Sequence, residues 1–112
     1  MKLKKLSKIL LLSSILTLGI GCAKTEKVNV EEKYKVGLVL SVGGVNDESF
    51  NQSAWEGALR AEEEYENVEV TYLESNGEAD YTPNIETLID MDMDLIVGVG
   101  FQVADSVKEA AE

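Results

Sequence analysis

Lys35-Val-Gly-Leu-Val-Leu-Ser41 is almost continuously apolar, as is Leu95-Ile-Val-Gly-Val99, whereas Val68-Glu-Val-Thr-Tyr-Leu73 alternates, with Glu69 and Thr71 on one face. Strands buried on both faces read as continuous apolar runs, and half-exposed strands alternate. The first and third segments are therefore expected in the middle of a parallel sheet and the second at its edge. That is the strand order 2-1-3 of a doubly wound α/β fold.

Each strand is followed by a helix-like stretch. Ser49-Phe-Asn-Gln52 has the form of a capping box, with Ser at the N-cap and Gln three residues on. It predicts a helix to about Tyr65, with Phe50, Ala54, Gly57, Ala58, Ala61 and Tyr65 on its inner face. Thr82-Pro83 offers a capping hydroxyl and a proline at the first position of a second helix, whose apolar stripe is Ile85, Leu88 and Ile89. A third helix, from about Val103, reaches Glu112 without a Gly, a Pro or a C-cap, and the third strand is left with an apolar, unpaired edge. The chain is accordingly read as the N-terminal piece of a longer protein.

Outward from this body, the charge is lopsided. Of 112 residues, 10 are Lys or Arg and 21 are Asp or Glu, and Lys2, Lys4, Lys5 and Lys8 all lie in the first eight. The remainder is strongly acidic and would repel a phosphate backbone, which rules out nucleic acid as a partner. With no His and one Cys, a Ser/His/Asp triad is excluded, an internal disulfide is impossible, and no ordinary zinc ligand set exists.

Residues 1 to 21 combine a basic start with an apolar run from Ile9 to Ile20, the pattern of a secretory signal and too short for a permanent span. Leu18-Gly-Ile-Gly-Cys22 resembles a bacterial lipoprotein box, which implies that Cys22 is lipidated and becomes the new N-terminus. Residues 22 to 33 then read as lipid anchor and polar tether, and 34 to 112 as the folded domain.

Ligands of an open parallel sheet sit beyond the carboxyl ends of the strands, where the strand order reverses. Here that point lies between the loop Val42–Asn51 and the loop Gly100–Asp105. Gly43-Gly44 could cradle a phosphate, but Asp47 and Glu48 would repel it and no cation stands nearby in sequence. Gly98-Val-Gly100 lacks the third glycine of a dinucleotide fingerprint and reads as a tight strand exit. Asp90, Asp92 and Asp94 alternate like calcium ligands, but nothing completes an EF-hand loop, so they are read as a solvated turn and no metal site is expected. Glu62-Glu-Glu64 reads as an exposed helix face, and Trp55 as core packing.

Val36-Gly-Leu-Val-Leu-Ser-Val-Gly-Gly-Val-Asn-Asp-Glu-Ser-Phe-Asn-Gln-Ser-Ala-Trp-Glu-Gly57 and Leu95-Ile-Val-Gly-Val-Gly-Phe-Gln-Val-Ala-Asp-Ser-Val-Lys-Glu-Ala110 resemble the basic membrane protein family of purine nucleoside receptor A-like lipoproteins. The resemblance implies the first part of the N-terminal lobe of a type I periplasmic-binding-protein fold, in which a nucleoside is held in a cleft between two lobes. By the same resemblance, Asp47, Ser49, Phe50, Asn51, Phe101 and Asp105 are the candidate ligand-binding residues. It further implies a substrate-binding protein, tethered by lipid to the outer face of the cell membrane, that passes nucleosides to an ABC permease and its ATPase. No cofactor is expected.

The residue types suit that task, since a neutral purine presents two π-faces to Phe and hydrogen-bonding edges to Asn and Asp. For Ser49 a helix cap competes with ligand contact. At the level of function, a signalling or regulatory lipoprotein ectodomain and a sugar receptor of the same fold compete with nucleoside capture. An enzyme using Asp47 and Asp105 as a carboxylate pair is a further alternative, but it needs one raised carboxyl pKa and an aligned water, and the chain is read as not an enzyme.

Overall fold

The computed structural model describes residues 31–112. The expected signal segment, Cys22 and the tether as far as residue 30 lie outside the described residues. Three parallel strands, β1 (Tyr34–Leu40), β2 (Val68–Leu73) and β3 (Leu95–Val99), form one sheet in the order β2-β1-β3. Val36 stands opposite Val70 on one side and Leu95 on the other. The connecting helices are α1 (Phe50–Glu64), α2 (Tyr81–Asp90) and α3 (Ala104–Ala110).

The sheet divides the core in two. On one face Leu38, Leu40 and Val99 pack with Ala54, Trp55 and Ala58 of α1 and with Tyr72. Trp55 meets Tyr72 edge to face at 4.7 Å, as expected for core packing rather than ligand contact. On the other face Val39 packs with Tyr81, Ile85 and Leu88 of α2 and with Val103 at the start of α3. Gly98 makes this second layer possible, because a Cβ there would lie 2.7 Å from Val107 and 3.0 Å from Val103.

Four expectations need correction. The inner face of α1 is Asn51, Ala54, Trp55 and Ala58; Phe50 and Tyr65 are exposed, because the helix enters one residue out of phase with its apolar signal. Ser49 makes no side-chain cap. Pro83 is the third residue of α2 rather than the first, since a 3-10 turn at Glu78–Asp80 leads into the helix and Thr82 spends its hydroxyl on Ser106 at 3.1 Å. Finally, β3 is not buried on both faces: α1 covers Val99 but leaves Leu95 46% and Val97 37% exposed.

The acidic stretches also have local tasks. Glu62, rather than being a mere solvated charge, accepts the Val70 N–H at 3.0 Å. Asp94 latches β3 to β1, its carboxylate accepting the Lys35 N–H at 2.7 Å while its own N–H donates to the Lys35 carbonyl at 2.9 Å. Asp90 and Asp92 are exposed, as a solvated turn requires.

Candidate functional site

The carboxyl ends of β1 and β3 adjoin, with Leu40 paired to Val99, and the helices that follow them pack on opposite faces of the sheet. Between the two exits lies a cleft of about 280 Å³ lined by Ser41, Val42, Asp47, Phe50, Gly100, Phe101 and Gln102. Gly100 adopts φ +93°, open to glycine at no steric cost. A Cβ there would also lie 3.0 Å from the Ser41 hydroxyl, so glycine lets the floor of the cleft close.

Asp47 starts the helix. A left-handed turn at Glu48 (φ +54°) folds the Asp47 carboxylate back over α1, where it accepts the N–H groups of Ser49 at 2.8 Å, Gln52 at 3.0 Å and Asn51 at 3.1 Å. This is the capping task that the Ser49 hydroxyl was expected to perform, done from two residues earlier. Those hydrogen bonds, led by the one from Gln52, hold the Asp47 carboxyl below the usual carboxylate range, although partial desolvation opposes them. A group stabilised as the anion is the reverse of the raised-pKa acid that glycosyl chemistry needs.

Asn51 lies beneath the loop rather than at its surface. It is 0% exposed, and its Oδ1 accepts the Ser41 N–H and hydroxyl, both at 3.1 Å. Its Nδ2 donates to the carbonyls of Ser41 at 2.8 Å and Gly44 at 3.1 Å. The side chain therefore has its donors and its acceptor engaged within the chain.

Two aromatic rings stand free at the cleft. Phe50 is 75% exposed and Phe101 is 86% exposed, one from each loop. Of the six candidate residues, Asp47, Phe50 and Phe101 line the cleft; Ser49 is exposed beside it, and Asp105 is exposed in the first turn of α3 without lining it. Ser41, Val42 and Gln102 also line it and were not singled out by the sequence. Their signal was positional only, since Ser41 and Val42 are the first two residues after β1 and Gln102 adjoins Phe101. No Lys or Arg is among the lining residues, so the cleft suits a flat, uncharged ligand that stacks and hydrogen-bonds rather than an anion.

Residues 33–112 match the family model described as ABC transporter substrate-binding protein PnrA-like. A CD4+ T-cell-stimulating antigen of Listeria innocua is 35% identical over 123 residues, covering 98% of this chain and 34% of the relative. The ABC transporter nucleoside-binding protein BmpA of Lactococcus lactis is 38% identical over 87 residues, covering 74% of this chain and 24% of that protein. An uncharacterized lipoprotein of Pyrococcus abyssi is 38% identical over 104 residues, or 92% of this chain and 25% of the relative. Among solved structures, a lipoprotein fragment from Peptoclostridium difficile 630 superposes with a TM-score of 0.63 at 28% identity, over 70% of this chain and 64% of that one. The chain thus spans about a third or less of the length of these curated relatives.

Proposed function

This chain belongs to the family of PnrA-like ABC transporter substrate-binding proteins, and from that membership we propose that it contributes to the capture of a nucleoside, purine in preference, for import. The observation that carries this reading is the pair of exposed rings, Phe50 and Phe101, on the two loops that flank one cleft. Exposed aromatic side chains cost solvation free energy, and a base with its π-faces is the natural partner for them. Asp47 and Ser49 on one loop supply hydrogen-bonding groups for the edges of the base, and Asp105, in the first turn of α3 outside the cleft lining, enters this reading through the family resemblance alone. Asn51 acts beneath them through Ser41.

The same reading assigns Cys22 as the lipidation site, residues 22 to 33 as the tether and residues 34 to 112 as part of the ligand-binding domain, held at the outer face of the cell membrane. The ligand would pass to an ABC permease and its ATPase. Support comes from the relative named nucleoside-binding and from the relative named lipoprotein.

Isothermal titration of the mature protein, as its gene expresses it, with adenosine, guanosine, inosine and cytidine is the test. Purine nucleosides should bind more tightly than cytidine, and the affinity should change little with salt because no ion pair is involved. Absence of heat with all four would overturn the nucleoside reading.

A further inference from the structure

Glu74 follows the last residue of β2, is exposed, and does not line the cleft. Its carboxylate nevertheless reaches across to the ligand-side loop after β1, where Oε1 accepts the Val45 N–H at 2.7 Å. That is the short end of the N–H···O hydrogen-bond range. The same carboxylate crowds Gly44, which sits at φ +74° and whose added Cβ would lie 3.1 Å from Oε1.

Glu74 is itself fixed from behind. Asn84 of α2 donates from Nδ2 to the Glu74 carbonyl and to the Ser75 hydroxyl, both at 3.0 Å, and Ser75 is buried. On the far side, the Gly44 carbonyl accepts from Asn51, which holds Ser41 at the floor of the cleft. A continuous set of bonds therefore runs from α2 through Glu74 and Gly44–Val45 to the cleft.

We propose that Glu74 is a positioning residue for the nucleoside site, holding the glycine-containing loop in its binding shape through Val45 and Gly44 without touching the ligand. This rests on the nucleoside reading above for the identity of the ligand, but not for the existence of the link. Fixing the loop before the ligand arrives removes an ordering cost from binding.

The test has two readouts on the mature protein. In Glu74→Ala, amide hydrogen exchange at Val45 should accelerate roughly tenfold, the equivalent of losing one charge-assisted hydrogen bond. Exchange at Leu38 and Val39 in β1 should keep its rate, which shows that the domain remains folded. Affinity for adenosine, guanosine and inosine should fall by one common factor, up to roughly tenfold. Glu74→Gln keeps an oxygen acceptor for Val45 and should bring both readouts to within roughly threefold of the wild type.

Unchanged Val45 exchange in Glu74→Ala would overturn the link itself. Faster exchange with unchanged nucleoside affinity would overturn the positioning role, and a base-dependent loss would make Glu74 a ligand contact instead. If the wild type binds no nucleoside, the nucleoside reading falls, and the positioning role with it, while the exchange rate still decides whether Glu74 holds the loop.

Discussion

Asn51 and Ser41 are joined by three hydrogen bonds: the Asn51 Oδ1 accepts the Ser41 N–H and hydroxyl, and its Nδ2 donates to the Ser41 carbonyl. The second residue of α1 is thereby clipped to the residue that follows the central strand, and both are buried. A loop of nine intervening positions has its two ends fixed by one amide side chain.

Asn51→Ala should accordingly be costly, because it strands the Ser41 N–H, the Ser41 carbonyl and the Gly44 carbonyl in a site with little water. Each unsatisfied buried group costs about 1 to 3 kcal/mol. A total near 3 kcal/mol or more would lower Tm by roughly 12 to 24 °C for a domain of this size. Asn51→Asp should do no better, since it places a carboxylate against two carbonyl oxygens. Thermal melts of the three proteins check this, and a shift of only a degree or two would remove the clip from the stability account.

Asp47 gives a prediction about pH. Its carboxyl is held below its ordinary value of 3.8 by backbone N–H groups, led by that of Gln52. A depressed folded-state pKa contributes stability that is fully present above 3.8 and is lost as pH falls through the folded value. Wild type should therefore melt above Asp47→Ala at neutral pH, and the gap should narrow only below about pH 4. A gap that is constant from pH 7 to pH 2.5, or that narrows already near pH 6, would show that the charge on Asp47 does not cap α1.

The helix layer over β3 depends on a missing methyl group. Gly98→Ala would drive its Cβ to within 2.7 Å of Val107 and 3.0 Å of Val103, so α3 must shift or the side chains must leave their rotamers. Overpacking of this kind typically costs about 1 to 3 kcal/mol. Gly77→Ala is the matched control, because a Cβ there meets nothing within 4 Å. Denaturant midpoints should separate the two variants clearly, and equal midpoints would mean that α3 does not press on the sheet as closely as described.

The strands were legible because their evidence is a run of side chains. Val68–Leu73 and Leu95–Val99 fall where the pattern placed them, and the central strand lies one residue earlier, at Tyr34–Leu40. The order β2-β1-β3 followed from the contrast between continuous and alternating apolarity. The start of α1 was less legible, because the choice between Ser49 and Asp47 as cap is made by the backbone at Glu48, and a positive φ at a glutamate leaves no trace in composition.

Burial at the site was misread for a related reason. Phe50 is apolar and exposed while its neighbour Asn51 is polar and buried, the reverse of what a helix-phase argument assigns. Asn51 answers to the loop it holds rather than to the helix face, so it departs from the pattern that serves packing alone. The two free rings were nevertheless named as candidates through the family resemblance, and they do stand in the two loops that the strand order brings together.

Those rings carry the last prediction. If a base stacks on Phe50 or Phe101, truncation of either ring removes a contact common to every base, commonly about 1 to 3 kcal/mol per stacked base. In the mature protein, Phe50→Ala or Phe101→Ala should thus weaken adenosine, guanosine and inosine alike, by roughly fivefold to a hundredfold. Asp105→Ala, removing a group suited to a base edge, should weaken them unequally. Stability should move little in any of the three variants, since all three side chains are exposed and outside the core clusters. The two effects can be separated by pairing titration with a melt of each variant. Affinity lost without stability places the ligand against the rings, whereas unchanged affinity in both Phe variants would leave the cleft between β1 and β3 without a stacking role and move the search for the ligand elsewhere on the protein.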